Sequence, residues 1–535
     1  MVNKISIQPE EKESPGLFSD RLGVAYAASV SQQHKKENGQ FFTPVEIAGL
    51  MASFSEFTGN SVRMLDPGCG SAVLSCTLTE YLVNSNKNLK SVNLVAYETD
   101  TELIPVAEKS LNYLEKWGAN RGIQIQTKLY TEDFILHNAG CFTETGSLFS
   151  QPVEEFDIVI SNPPYFKLSI DDPRAMAARV VVNGHPNIYA IFMALSAKLL
   201  NPNGELIFIT PRSYAAGGYF KKFREYFFKL IDLEKVHLFI SRKETFSKDK
   251  VLQETVIIKG TKRAKTKSQV IISSSAGLKD LNSPLIKTFP KKDIIDLNSG
   301  EKILYLPTTD YEEAVLEIFK NWTGNLSKYN IRISTGPVVA FRAWDYIREN
   351  EKNDTTELAP LFWLHNVKQM LIEWPVIKPK KGQFITVEEK SMPLLIPNKN
   401  YILLRRFSSK DDKKRLIAAP YFTALPAGRS NFVNTDYIGV ENKVNYIYRP
   451  KGHLERNEVV GLCALLNSTL FDTYFRIFNG NVNVSATELR EISLPPLETI
   501  QEIGDAIILS NNFSPENANQ IVTEYFEPVC QPAGQ

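Results

Sequence analysis

Cysteine is sparse and unpatterned in this chain. Of 535 residues only Cys69, Cys76, Cys141, Cys463 and Cys530 are cysteine, an odd, scattered set with no C-x-x-C pair. That argues against a disulfide framework and against a zinc site, and no metal is expected. No run approaches the roughly 18 apolar residues of a membrane span. The first 30 residues lack a basic region followed by an apolar stretch of signal-peptide length, so the expectation is a soluble, cytoplasmic protein without membrane contact. An excess of one charge sign is missing too: 61 Lys and Arg stand against 60 Asp and Glu, a net charge of +1. Attraction to a polyanion must therefore come from local patches. Two runs qualify, 259–267 (KGTKRAKTK) and 405–415 (RRFSSKDDKKR), although such runs are often solvated loops. No Lys or Arg follows Arg490, while Glu498, Glu502, Asp505, Glu516, Glu524 and Glu527 do, predicting an acidic C-terminal helical tail turned away from any polyanion.

What is present is a regular alternation from about residue 61 to 260. Short β-branched runs at Val62–Leu65, Asn93–Tyr97, Ile123–Lys128, Asp157–Ile160, Glu205–Ile209, Val236–Ile240 and Glu254–Ile258 alternate with helical patterns such as Glu102–Trp117 and Tyr189–Leu200. This predicts an α/β domain with a seven-stranded, mostly parallel sheet and helices on its faces. The pattern stops after Gly260. Residues 261–275, basic and Ser-rich, read as a linker or boundary strand, and 276–535, with Pro-bounded loops and no internal repeat, as a second, mixed α+β domain. Residues 1–37 form an N-terminal extension in this reading.

The chemistry concentrates at the strand ends. The first strand runs into Asp66-Pro67-Gly68-Cys69-Gly70, where glycines let backbone approach a nucleotide-like ligand at the carboxyl edge of the sheet. The second ends at Glu98, a carboxylate able to accept both hydroxyl hydrogens of a ribose. The third ends near Asp133-Phe134, offering an acceptor for an adenine amine and a ring or backbone N–H beside it. Each acid alone is more often a helix cap; three ligand-like groups at three successive strand ends point to a nucleoside cofactor.

The fourth strand delivers Asn162-Pro163-Pro164-Tyr165. Two prolines remove two N–H donors and stiffen a loop whose carbonyls remain as acceptors. With Asn162 Oδ1 and the Pro163 carbonyl, the loop offers the two acceptors that an exocyclic aromatic amine needs to present its lone pair for in-line attack on a methyl group. Tyr165 offers a face for a base taken out of its stack.

At this point the chain resembles the gamma-class (TaqI-like) N6-adenine DNA methyltransferases of bacterial restriction–modification systems, over about residues 38–260. Gln40-Phe41-Phe42-Thr43-Pro44 is similar to the segment reaching the cofactor's methionine end, Asp66–Gly70 to the glycine-rich motif, Glu98 to the ribose acid and Asp133-Phe134 to the adenine contact. Asn187–Phe192 is similar to the helix behind the catalytic loop, and Glu244-Thr245-Phe246 to the motif whose aromatic residue packs on a flipped adenine. The resemblance implies a Rossmann-like domain that uses S-adenosylmethionine, yields S-adenosylhomocysteine and contacts it through Phe42, Thr43, Pro44, Asp66, Gly68, Cys69, Gly70, Glu98, Asp133, Phe134 and Asn162. It implies catalysis by Asn162, Pro163, Pro164, Tyr165 and Phe246, and a C-terminal recognition domain on double-stranded DNA. Arg405, Arg406, Lys413, Lys414, Arg415, Asn481 and Asn483 are the candidate DNA contacts there.

Other amine acceptors share parts of this pattern. Protein glutamine, an RNA base and cytosine N4 are alternatives, as is a non-catalytic DNA-binding specificity subunit. The upstream Phe-Thr-Pro segment and the long second domain favour adenine in DNA. With about 37 residues ahead of that segment, the expectation is a bacterial, nucleoid-associated modification enzyme, monomeric or weakly dimeric, whose restriction endonuclease is a separate protein.

Overall fold

The computed structural model describes residues 7–142, 154–239, 255–262, 267–349, 357–408, 413–423, 435–479 and 484–526. The chain divides into two compact units, Met1–Thr308 and Thr309–Gln535.

The first unit is built on one sheet. Its strands are β1 (Ser61–Pro67), β2 (Ser91–Tyr97), β3 (Gln124–Tyr130), β4 (Phe156–Ser161), β5 (Leu200–Pro211), β6 (Asp232–Phe239), β7 (Thr255–Thr261), β8 (Gln269–Ser275) and β9 (Leu285–Pro290), in the spatial order β3-β2-β1-β4-β5-β7-β6-β8-β9. Strands β1 to β5 run parallel, and β7 inserts antiparallel between β5 and β6. The chain leaves β1 toward β2 and β3 on one side and returns to β4 on the other. The β1/β4 boundary is thus a topological switch point, where such sheets leave a crevice at the strands' carboxyl ends.

Burial on both faces explains why these strands read as nearly continuous apolar runs. Leu65, Val95, Val159 and Phe208 point into one core, with the helices Ile188–Leu199 and Lys221–Leu230. Met64, Leu94, Ile158 and Ile207 point into the other, covered by the helices Val45–Ala52, Val73–Ser85 and Ile104–Ala119.

Two sequence expectations change. The N-terminal extension is part of the unit: Ser14 caps the helix Pro15–Ser29, and Phe18, Leu22 and Tyr26 are buried with Leu103 and Val106. Nor does the unit end at Gly260. The Ser-rich stretch expected as a linker or boundary strand contains β8, parallel to β6, and β9 pairs beyond it, so the sheet has nine strands rather than seven. The hydroxyls of Ser273 and Ser275, at the end of that stretch, lie 2.8 and 3.0 Å from the two ring nitrogens of buried His237. Burial lowers the His237 pKa to about 4, so the ring is neutral. The basic run beginning at Lys259 is paired with acids at Lys259 and Lys267. Lys259 is buried, 2.8 Å from Glu234 and 3.0 Å from Glu56, and Lys267 lies 2.8 Å from Glu234.

The second unit holds a four-stranded antiparallel sheet (Arg332–Thr335, Val444–Tyr448, Tyr401–Arg405, Ala418–Tyr421) and a five-stranded sheet that includes Leu358–Phe362 and Tyr437–Val440. Its acidic end forms the helices Leu497–Ser510 and Pro515–Phe526, which pack on Arg456–Asn467. The first of these approaches Arg456–Asn467 through glycine on both sides: a Cβ on Gly461 would stand 1.9 Å from the Ile500 carbonyl, and one on Gly504 1.9 Å from that of Asn457. Since neither backbone yields without moving its helix, Gly461→Ala is expected to cost about 1–3 kcal/mol, the usual penalty of overpacking. Urea unfolding followed by circular dichroism measures it.

Candidate active site

The turn after β1 places backbone, not side chains, at the crevice. Gly68 and Gly70 have φ of +73° and +59°, a region that costs other residues a steric penalty, and the N–H groups of Gly68 and Cys69 both donate to the Tyr97 carbonyl at 2.9 Å. Gly70 N–H donates to Glu98 Oε2 at 3.0 Å, while Thr99 and Asp100 N–H donate to Glu98 Oε1 at 2.8 Å each. Burial raises the Glu98 pKa, and these three donors oppose the rise. Each of its oxygens keeps acceptor capacity for a further donor.

Asp66 lies below this turn, fully buried, with neither carboxylate oxygen hydrogen-bonded. Burial raises its pKa to about 7.

Residues 37–43 form the opposite wall, held by an acid that sequence reading did not single out. Asp100 Oδ2 accepts from Tyr26 Oη at 2.7 Å and Gln40 Nε2 at 2.5 Å and lies 2.8 Å from His34 Nε2. Burial pushes the Asp100 carboxyl up, but these hydrogen bonds prevail and hold it below the usual carboxylate range. The hub joins the N-terminal helices to the strand end that carries Glu98. No local pattern announces it, because its members are brought together only by folding.

The loop after β4 meets the same wall. Asn162 Nδ2 donates to the Phe41 carbonyl at 2.8 Å and to Thr43 Oγ1 at 2.9 Å, and Asn162 Oδ1 accepts from Tyr165 Oη at 2.6 Å. The Tyr165 hydroxyl also lies 3.0 Å from the Ile209 carbonyl. Pro163 is buried and Pro164 partly so. The Tyr165 ring, read from sequence as an open face for a base, is buried, with Phe41 stacked on it at 5.1 Å. Gly39, with φ of +60°, is where the wall crosses the loop: a Cβ there would stand 2.7 Å from the Phe166 ring and 3.0 Å from Tyr165 N.

Between these elements lies a cavity of about 380 Å³, within the ~300–1,000 Å³ of small-molecule sites. Phe42, Thr43, Gly68, Cys69, Gly70, Glu98, Asp133, Phe134 and Asn162 line it, as do Asp100, Phe166, Arg174 and Phe192. Pro44 is not in its wall, because its carbonyl starts the helix Val45–Ala52 by accepting Ala48 N–H at 3.0 Å. Asp66 is not in it either. Asp133 Oδ1 caps the short helix Phe134–His137 through Ile135 and Leu136 N–H, and Arg174, missed in the sequence, stands 3.7 Å from Asp133 Oδ2. Phe246, with Glu244 and Thr245, lies outside the described residues.

The expected DNA contacts sort differently. Asn481 and Asn483 lie outside the described residues. Arg405 Nε donates to the Val367 carbonyl at 2.7 Å, Arg406 donates to that of Asn442 at 3.1 Å, and Lys414 Nζ donates to Thr469 Oγ1 at 2.9 Å; Lys413 is exposed. Arg415 is corrected outright. It is fully buried, its guanidinium donating to Asn479 Oδ1 at 3.0 Å and its backbone N–H to Asp472 Oδ1, so no phosphate reaches it.

The switch-point crevice, the glycine turn, Glu98 and the Asn-Pro-Pro-Tyr loop at one cavity define a Rossmann-like methyltransferase domain of the S-adenosylmethionine-dependent class, followed by a separate C-terminal unit. The chain is 33% identical over 479 residues to the type II methyltransferase M.BsuBI of Bacillus subtilis, covering 89% of this chain and 91% of that one. To M.PstI of Providencia stuartii it is 30% identical over 497 residues, covering 92% and 94%. The family model described as Eco57I restriction-modification methylase matches residues 71–246. In structure it is similar to the type IIL restriction-modification enzyme MmeI solved in complex with DNA, with a TM-score of 0.52, 13% identity and coverage of 96% of this chain and 74% of that one. The chain belongs to the type II methyltransferases of restriction–modification systems.

Two predictions follow from this geometry. The first concerns pH. Folding raises the Asp66 pKa from 3.8 to about 7, so between these values the folded chain holds a proton that the unfolded chain has released. Its contribution therefore destabilises the ligand-free protein progressively as pH rises from about 4 to 7. Asp66→Asn is expected to flatten this part of the stability–pH profile and raise the urea midpoint at neutral pH. The second concerns Arg415: its replacement by Ala empties a buried site and is expected to cost on the order of 3 kcal/mol, whereas Lys413→Ala leaves unfolding unchanged.

Proposed function

We propose that the protein transfers a methyl group from S-adenosylmethionine to the exocyclic N6 amine of an adenine in double-stranded DNA. The observation that carries this reading is the Asn162 carboxamide at the cavity wall. Both hydrogen bonds from Nδ2 are committed to Phe41 O and Thr43 Oγ1, which leaves Oδ1 as the end that receives an amine. S-adenosylmethionine, when bound, supplies an electrophilic sulfonium methyl. Glu98 accepts its ribose hydroxyls, the backbone of Gly68 to Gly70 approaches it without side chains, and Phe134 and Asp133 serve its adenine ring.

The acceptors Asn162 Oδ1 and the Pro163 carbonyl hold the two N–H groups of the target amine and orient its lone pair. No base is required beforehand, because the amine becomes acidic only after accepting the methyl; its proton then leaves through these acceptors. Two contacts within the site give way on substrate entry. The Tyr165 hydroxyl turns from Asn162 Oδ1 to the Ile209 carbonyl already 3.0 Å away, and Phe41 leaves the Tyr165 ring so that a base rotated out of the duplex stacks there. The second unit, 309–535, is assigned to target recognition. The resulting mark protects host DNA from a separate restriction endonuclease that reads the same site.

The test is nucleoside mass spectrometry on duplex DNA incubated with the chain and the cofactor. N6-methyladenine is the expected product; N4-methylcytosine or unmodified DNA would sink the reading. Asn162→Ala is expected to lower turnover about 10²–10³-fold, the scale for loss of one preorganised polar contact to developing charge, with cofactor affinity retained. Glu98→Ala is expected to weaken cofactor binding about 10- to 100-fold in calorimetry, through loss of charge-assisted hydrogen bonds.

A further inference from the structure

In the second unit, the segment between the strands Leu371–Ile372 and Phe384–Thr386 ends in a tight turn, Lys378-Pro379-Lys380-Lys381. Lys381 N–H donates to the Lys378 carbonyl at 3.1 Å, and the two residues form an antiparallel bridge. Proline in the second position and a φ of +58° at Lys380 in the third make the type II pattern, whose third position favours Gly or Asn. A lysine there is strained. Ile377, immediately before the turn, is 91% exposed, and Lys378, Pro379 and Lys380 are exposed with it.

The base of the turn is held firmly. Trp363 Nε1 donates to the Gly382 carbonyl at 2.7 Å, Val376 N–H donates to Gln383 Oε1 at 3.0 Å, and Lys381 Nζ lies 4.1 Å above the Trp363 ring. A Cβ on Gly382 would stand 2.6 Å from the Arg348 carbonyl, so the strand cannot shift there. Among the described residues no acid pairs with Lys378 or Lys380; nearby Glu373 lies 3.6 Å from Lys368, and Glu441 is buried. Burial, together with the charges of Lys378, Lys381 and Lys368, lowers the pKa of half-buried His365, which shows how closely the cations gather.

An apolar side chain in water, unpaired like charges and a lysine at positive φ are each unfavourable in the free protein. The first two are relieved by a partner with a dense anionic surface and an apolar interior. Duplex DNA is such a partner: lysines neutralise its phosphates, and apolar side chains wedge against its bases. We infer that Ile377–Lys381 is a DNA-contacting finger, its lysines on phosphates and Ile377 inserted in a groove against the base edges. The inference rests on the proposed DNA substrate and names one element that binds it.

The test uses the full chain, a random-sequence DNA duplex and fluorescence anisotropy across a series of NaCl concentrations. Releasing counterions from one phosphate contributes about 0.9 to the log–log salt slope. Lys378→Ala with Lys380→Ala is therefore expected to reduce the slope by about 1.8, and Ile377→Ser to weaken binding several-fold at unchanged slope, with Ile377→Leu restoring it. All positions are exposed, and equal melting temperatures confirm that the fold is intact. A wild-type slope in the double variant, or unchanged affinity in Ile377→Ser, overturns the finger while the DNA substrate stands. Loss of binding to phosphatidylserine vesicles with DNA binding unaffected overturns it in favour of a membrane. A wild-type chain that binds no duplex at all overturns the proposed substrate as well.

Discussion

The carboxamide of Asn162 is where separate stretches of the chain become one site. Its Nδ2 is bound to residues 41 and 43, which precede the sheet, and its Oδ1 to Tyr165, whose hydroxyl reaches the end of β5 at Ile209. An amide has a donor end and an acceptor end, and a reversed amide would present N–H groups to an amine that itself needs acceptors. The two acceptors on the N-terminal segment decide the orientation. That segment depends in turn on Asp100, which gathers Tyr26, His34 and Gln40 beside the strand end bearing Glu98. The acceptor geometry of the Asn-Pro-Pro-Tyr loop and the position of Glu98 thus share one scaffold, and the helix Pro15–Ser29 belongs to it.

Charge in this protein is organised by pairing rather than by runs. Within the 259–267 run Lys262 donates to the Lys198 and Leu200 carbonyls, while Lys259 and Lys267 sit among Glu56, Glu205 and Glu234. Burying Lys259 without them would cost several kcal/mol, whereas the network satisfies its charge and makes it a structural residue. Arg415 is held differently, its guanidinium donating to the neutral amide of Asn479 and its backbone N–H to Asp472. Lys378 and Lys380, which no acid pairs among the described residues, belong to a turn of only four residues. A search for long basic runs passes over it, since strain and exposure, not length, distinguish it.

Parts of the architecture are legible locally. Seven strands were read within a few residues of their positions, because a strand buried on both faces is apolar throughout and is bounded by turn residues. β8 falls in the stretch read as a linker or boundary strand, and the edge strand β9 was not read. Gln269–Ser275 carries three consecutive serines, two of them serving His237, and polar residues that satisfy a buried ring look the same in sequence as polar residues in solvent. The compact unit consequently extends to Thr308, well past the change in pattern at Gly260.

By itself the sequence determined the order of groups along the sheet: a glycine turn after β1, acids after β2 and β3, and the Asn-Pro-Pro-Tyr loop after β4. Each of these depends on a residue type at the end of a strand, and strand ends are local facts. Tertiary structure alone decided which groups share a cavity and which way they face. Pro44 begins a helix, Asp66 lies buried beneath the turn, Phe41 covers Tyr165, and Asp100 and Arg174 join the site from positions no motif marks. The physical reason is that hydrogen-bond partners and burial are set by contacts between residues as far as 121 positions apart, to which no local pattern is sensitive.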